Sequence, residues 1–264
     1  MLLTELHRRQ RNISARVMRV VLAVLLPFLL IPLTSQVWGD IVRSIFPLVN
    51  EARRESAQLA REYYDTQRER HTDEDERFDV DLAGYEYDWF YEAMLPAKKS
   101  FQLNETTLGQ AIQAGFRAVK EVENGGRRTI RNAVDRDSSA VGWARVATGR
   151  ETCGFCLMLV SRGPVYQSAE SAGLNTDDTT ALEILDEGDT EAFNELMTRF
   201  HPNCDCKVVP VFDRNDWQGR DDYLEAQKTW KEVTKGLSGR DALNAFRRAI
   251  EDNHVDPSEF AVVK

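Results

Sequence analysis

The four cysteines of the chain form two close pairs that lie far apart in the sequence. The first pair is Cys153 and Cys156, the second is Cys204 and Cys206, and His201 precedes the second pair. Written out, the pattern is C-x2-C-x44-H-x2-C-x-C. Zinc in structural sites prefers thiolate and imidazole ligands in a tetrahedral arrangement, and a C-x2-C spacing lets two thiolates converge on one ion. The pattern therefore predicts a structural zinc site.

Five candidate ligands for four positions leave the ligand set open. In an extended segment, the side chains of Cys204 and Cys206 point to opposite faces. A single ion would then leave Cys206 out, unless a turn at Asp205 brings it inward. The set without Cys206 consists of Cys153, Cys156, His201 and Cys204. Two disulfides, reduced core cysteines without a metal, and a Cys–His catalytic pair are the alternatives.

Common catalytic and nucleotide-binding motifs are missing from the sequence. HExxH, GxSxG, Walker A and GxGxxG do not occur. A site whose positions are all filled by sulfur and imidazole also leaves no place for an activated water. We therefore expect no catalytic residue and no small-molecule substrate.

The composition is that of a globular, acidic protein. The 264 residues are 42% hydrophobic and 29% charged, with a formal net charge of −9. This charge argues against a protein that coats nucleic acid, which would be basic. Contact with DNA would need a local basic face, and the candidate run is Arg127, Arg128, Arg131 and Arg136. Such a run is more commonly a solvated helix face.

The N-terminal region contains an apolar segment, Val20 to Leu33, that follows several arginines. A secretory signal would have the same outline, but no small-residue cleavage site follows the segment. A membrane helix needs about 20 apolar residues, and here Pro27 and Pro32 interrupt a shorter run. The segment therefore favours a buried or partner-binding helix, with a membrane anchor or signal as the alternative.

Apolar spacing predicts mainly helices, with one small β element. A long amphipathic helix over 47–70 begins at Pro47, because proline suits a first helical turn. An acidic, exposed link over 71–81 follows it. Asn104 or Thr107 caps a helix that Asn124-Gly125-Gly126 stops.

Further helices are expected at 127–146, twice within 175–200, and twice in the tail around Gly236 to Gly239. Residues 207–212 have strand character because they are rich in valine. The fold class is thus mainly α with a small β element (α+β). We expect an N-terminal helical region over 1–75, a Cys/His-knotted domain over 82–212 and a helical tail over 213–264.

Three stretches resemble a known family. "RVATGRETCGFCLMLVSRGPVYQSAESAG" and "HPNCDCKVVPVFD" are similar to the cysteine–histidine core of the MuF-like minor head proteins of tailed bacteriophages, especially those of actinobacterial phages. "PLVNEARRESAQLAREYYDTQR" resembles their N-terminal helical region. The resemblance covers roughly 40–70 and 140–213. Its signature residues are Cys153, Cys156, Gly163, His201, Cys204 and Cys206.

The resemblance implies a minor capsid protein that acts in head morphogenesis. Such a protein is made in the host cytoplasm and resides in the virion, at the portal vertex or capsid interior. Its expected partners are the portal protein, the major capsid protein or both, with possible contact to packaged DNA. A reducing cytoplasm favours zinc over disulfides, and the membrane alternative becomes weaker because the apolar segment could dock on a portal or capsid partner. A capsid maturation protease is the alternative function.

Overall fold

The computed structural model describes residues 1–73, 78–79, 82, 84–148, 154–164, 204, 206–252 and 254–256. Its helices are α1 (Leu3–Leu25), α2 (Ser35–His71), α3 (Tyr87–Phe101), α4 (Leu108–Val134), α5 (Gly154–Val160), α6 (Arg220–Val233) and α7 (Gly239–Glu251). Its strands are β1 (Gly142–Val146) and β2 (Lys207–Val211). The predicted class, mainly α with a small β element, is confirmed. The acidic helices predicted within 175–200 lie outside the described residues.

Helix α2 is longer than the sequence indicated. The apolar face of the predicted amphipathic helix is buried, and it includes Leu59 and Tyr63. The prediction that it begins at Pro47 is wrong, because Thr34 caps the helix by accepting a hydrogen bond from the Val37 amide at 3.2 Å. Pro47 sits inside the helix, where it removes one backbone hydrogen bond. Burial of large side chains on both sides of the proline keeps the helix continuous: Trp38, Ile41, Val42, Ile45 and Val49.

The apolar N-terminal segment does not form one continuous helix. Val21 and Leu25 are buried at the end of α1, and the chain then passes through a short 3-10 helix, Leu26–Phe28, into a turn. Leu30 is 77% exposed and Ile31 is 54% exposed. In the described part of the chain, no helix combines the length and apolar character needed to cross a membrane.

Helix α4 passes through the Asn-Gly-Gly sequence that was expected to stop it. Thr107 caps the helix, as predicted, through a capping box with Gln110. Gly125 and Gly126 instead allow close packing against α2. A Cβ atom on Gly125 would lie 2.5 Å from the carbonyl oxygen of Arg53, and one on Gly126 would lie 2.9 Å from Ser56 Oγ. The glycines are thus required by packing between helices and not by a turn.

The two strands form an antiparallel pair in which Gly142 faces Val211 and Val146 faces Lys207. The predicted strand after the second cysteine pair is confirmed by β2. The prediction that the chain stays helical up to residue 146 is wrong, because β1 occupies the end of that stretch. All residues of both strands are buried, so pairing and burial outweigh the helical preference of Ala144 and Arg145.

The elements share one main core, and a smaller cluster holds the C-terminal helices. Helices α1, α2 and α3 pack against α4, and both strands pack on α4 as well. Helix α5 connects the two clusters: Cys156 and Leu159 belong to the main core, whereas Leu157 and Val160 pack with Phe246 of α7. The predicted domain limits near residues 75 and 212 stay a prediction.

Candidate metal centre

Three of the four cysteines come together inside the protein. The Sγ atoms of Cys156, Cys204 and Cys206 all lie within 4.8 Å of one another. The Sγ atoms of Cys156 and Cys204 are 3.5 Å apart, and all three residues are buried. Among the described cysteines none forms a disulfide. Three converging buried thiols could hold a metal ion, because one tetrahedral ion accepts ligands at this spacing.

The thiols come from two parts of the chain. Cys156 lies on α5, which is anchored by the buried side chains of Leu157, Leu159 and Val160. Cys204 and Cys206 directly precede β2, and β2 is held by its pairing with β1. The sequence left open whether Cys206 points away from Cys204, as in an extended segment, or turns toward the same site. In the structure the thiols of both residues lie in one cluster.

Two of the five predicted ligands, Cys153 and His201, lie outside the described residues. Their part in the site stays a prediction. Gly163, the other signature residue, lies in the turn after α5 with a positive φ of 70°. A Cβ atom there would lie 2.6 Å from the ring of Tyr223, so glycine is needed for conformation and for space.

Two buried arginines supply positive charge to the thiols. Hydrogen bonds from Cys156 and Cys206 lower the pKa of the Cys204 thiol well below its usual value, and Arg127 and Arg145 add to this, although burial opposes it. Burial lowers the pKa of Arg145, while the three nearby thiols counteract that effect. A thiolate is the form of cysteine that binds metals. The surroundings of the cluster therefore favour the metal-binding state of Cys204.

The segment of Cys204 and Cys206 is tied to the helical bundle through Arg127. Its Nη2 donates to the carbonyl oxygens of Cys204 at 2.8 Å and Cys206 at 3.1 Å. The same nitrogen lies 2.8 Å from Glu123 Oε2, and Lys207 Nζ lies 3.2 Å from that oxygen. Burial raises the pKa of Glu123, but Lys207 and Arg127 more than offset this, so its pKa is lowered. Glu123 therefore remains a carboxylate between two cations.

This role of Arg127 was missed by the sequence reasoning, which placed it in a basic run that could face DNA. The run does not form one surface: Arg127 is buried, and Arg131 stacks over the ring of Trp143 at 5.6 Å, whereas Arg128 and Arg136 are exposed. One sequence signal was available. Glu123 and Arg127 are four residues apart, which places them side by side on a helix.

The arrangement fits a structural site better than a nucleophilic one. A nucleophilic thiol must be reachable by its substrate, but Cys156, Cys204 and Cys206 are at most 7% exposed. The three thiols also point at one another. A metal ion held by these thiols would join distant chain segments, α5 and the start of β2.

The fold and site define a mainly helical protein whose strand pair and α5 meet at a buried thiol cluster. The sequence profile of a family described as "VG15 protein" matches residues 2–233, and the chain belongs to this family. It is 37% identical over 258 residues to the "Gene 15 protein" of Mycobacterium phage L5, covering 85% of this chain and 87% of that protein. The "Gene 15 protein" of Mycobacterium phage D29 is 35% identical over 247 residues, covering 85% and 90%. No solved structure matches the chain.

Proposed function

We propose that this phage protein is a structural component of the virion, a minor capsid protein that acts in head morphogenesis. Its relatives are phage proteins of similar length, which supports a role in a phage particle. The observation that carries the proposal is the buried cluster of Cys156, Cys204 and Cys206, because it joins chain segments and has no exposed reactive group. A second support is the resemblance of this sequence to MuF-like head proteins, which rests on the cysteine–histidine motifs.

The proposed cofactor is one structural Zn²⁺. Cys156, Cys204 and Cys206 would supply three thiolates, and Cys153 or His201 the fourth ligand. Zinc takes four sulfur or nitrogen ligands in closed structural sites. Once bound, the ion would link α5 to the strand pair and so contribute to the folding free energy of this region.

The proposed partner, the portal protein or the major capsid protein, would bind at an apolar tip of the helical bundle. The loop after α1 runs beside the loop before α4: Thr106 N donates to Leu29 O at 2.7 Å, and Leu33 N donates to Phe101 O at 2.8 Å. The apolar tip is formed by exposed side chains on these two loops and on the first turns of α2 and α4: Leu26, Leu30, Ile31, Val37, Leu103 and Leu108. Clustered exposed apolar side chains commonly mark protein interaction sites.

Incorporation into virions tests this proposal. A phage that lacks its own copy is complemented with the wild-type chain, with Leu30→Asp or with the control Leu237→Asp. Leu237 is also exposed, at 45%, but lies in the turn between α6 and α7. Mass spectrometry of purified particles should find the wild type and the control but little Leu30→Asp. Particles that lack the wild-type chain would contradict the virion role, and equal incorporation of Leu30→Asp would contradict the proposed docking surface.

The alternative, a capsid maturation protease, receives no support from the described residues. Its candidate nucleophiles are Cys153 and Cys204, with His201 as the base. Cys153 and His201 lie outside the described residues, and Cys204 is buried and directed at other thiols. Coexpression with the major capsid protein distinguishes the two functions. The structural role predicts no cleavage, whereas cleavage that is lost in only one of the variants Cys153→Ser and Cys204→Ser would favour the protease.

A further inference from the structure

We propose that Glu123 and Arg127 form a clamp that positions Cys204 and Cys206 for metal binding. The inference rests on the metal site of the proposed function. It assigns a role to two residues that would not touch the ion themselves. The clamp is defined as the side chains of Glu123 and Arg127 on α4 together with their hydrogen bonds.

The first half of the clamp is Arg127, which holds the backbone of both ligands. One guanidinium nitrogen lies within hydrogen-bond distance of the carbonyl oxygens of Cys204 and Cys206. The third acceptor of that nitrogen is Glu123. Because the nitrogen carries only two hydrogens, one of them is shared between two of the three oxygens. Arg127 thereby fixes the positions of two residues whose thiols face Cys156.

The second half is Glu123, whose carboxylate orients Arg127 and is itself held by side chains of α1 and β2. Ser14 Oγ of α1 donates to Glu123 Oε1 at 2.9 Å, and Lys207 Nζ of β2 donates to Glu123 Oε2 at 3.2 Å. Ser14 also receives a long hydrogen bond, 3.4 Å, from Gln10 Nε2, and Gln10 accepts one from Ser56 of α2 at 2.7 Å. A buried network of hydrogen bonds thus runs from α2 and α1 to the cysteine segment.

Two substitutions of Arg127 distinguish its role in positioning the ligands from the effect of its positive charge. Residues that orient metal ligands through hydrogen bonds commonly change metal affinity by about 10-fold to 100-fold when they are replaced. A lysine in place of Arg127 would keep the positive charge, but its side chain is shorter and would hold the ammonium away from the position of Nη2, where the three acceptors meet. If the role is positioning, Arg127→Lys should lose affinity almost as strongly as Arg127→Gln. If charge alone mattered, lysine would restore the affinity.

The experiment measures Zn²⁺ affinity of the full chain by competition with a chelating dye. Arg127→Gln and Arg127→Lys should both bind about 10-fold to 100-fold more weakly than the wild type. Arg128→Gln is the matched control, since Arg128 is the next residue on α4 but is exposed. Its affinity should stay within about twofold of the wild type, because a solvated arginine contributes little. Co²⁺ added at saturation should still give the thiolate charge-transfer band in each variant.

A second control separates metal affinity from general stability. Asp137 follows α4 and accepts buried hydrogen bonds from Tyr64 and Arg68 of α2. Asp137→Asn weakens this contact, and it should leave Zn²⁺ affinity unchanged while lowering the unfolding midpoint. Wild-type affinity in Arg127→Lys would overturn the inference while leaving the metal site in place. A wild-type chain that binds no metal would overturn the proposed site, and the inference with it. If Arg127→Gln does not fold by circular dichroism, Arg127→Lys decides the question alone.

Discussion

Replacing Gly125 by alanine tests the close packing of α2 against α4. The added Cβ atom would lie 2.5 Å from the carbonyl oxygen of Arg53 and 2.7 Å from its Cγ atom. Both distances are well inside van der Waals contact, and the oxygen belongs to the α2 backbone, which cannot rotate away. The two helices would have to move apart along the largest interface of the bundle.

The expected magnitude follows from two opposing effects. Alanine is favoured over glycine in a helix interior by about 1 kcal/mol. Overpacking costs about 1–3 kcal/mol, and the upper part of that range applies where backbone must move. Gly125→Ala should therefore lower the free energy of unfolding by about 1–2 kcal/mol, against the direction that helix propensity alone predicts.

Urea denaturation followed by circular dichroism measures the effect. Two other glycines of α4 provide matched controls, and the methyl group of Gly109→Ala meets only Thr107 Oγ1, at 3.8 Å. Gly115→Ala meets the flexible end of Met18, which can move aside. Both controls should be neutral or stabilised by up to about 1 kcal/mol. An unfolding midpoint for Gly125→Ala at or above the wild-type value would refute the close approach of α2 and α4.

Three further changes test other parts of the fold. Asp137 accepts hydrogen bonds from Tyr64 Oη and Arg68 Nε, each at 2.8 Å, so Asp137→Asn should cost about 2 kcal/mol in urea denaturation; an unchanged midpoint would contradict this anchor. Burial lowers the pKa of His7 from 6.5 to about 4, so the unfolded chain takes up its proton first. The neutral, buried His7 therefore adds its full share to the free energy of unfolding above pH 6.5. This share, at most about 3 kcal/mol, is lost as the pH falls toward 4. His7→Leu should make stability fall less steeply over that interval than in the wild type, and an identical slope would count against the buried neutral imidazole. Strong chelator should change the near-ultraviolet signal of Trp143 and Trp217 while α2 remains helical by far-ultraviolet circular dichroism; full retention of the aromatic signal would contradict a metal-dependent fold around β1.

The parts of the fold that were predicted correctly carry their signal locally. The apolar face of α2, the cap near Thr107 and the valine-rich strand β2 can each be recognised within a few residues. The wrong predictions concern places where contacts with a distant segment determine the local secondary structure. Pro47 and Gly125 normally mark helix ends, but buried side chains around the first and the α2 backbone beside the second keep these helices continuous. Strand β1 was missed because its pairing with β2 is invisible in its own sequence.

In the site, too, some features can be read from the local sequence and others depend on distant contacts. The spacing of the cysteines was sufficient to predict that Cys156 and Cys204 converge, and their thiols do lie together. The inward turn of Cys206 depends on backbone geometry that alternation along a strand does not reveal. The spacing of Arg127 from Glu123 is readable in the sequence, but its contact with the cysteine segment is not, because those partners are carbonyl oxygens and every residue has one. Only the fold shows which carbonyls it reaches.

The central claim is that the buried thiols hold one metal ion. Its most direct test is the zinc content of the purified full chain, measured by elemental analysis beside a variant with serine at Cys156, Cys204 and Cys206. We predict one zinc per wild-type chain and none in the variant. A wild-type protein that contains no metal after purification and Zn²⁺ reconstitution, or a variant that keeps the zinc, would contradict the account.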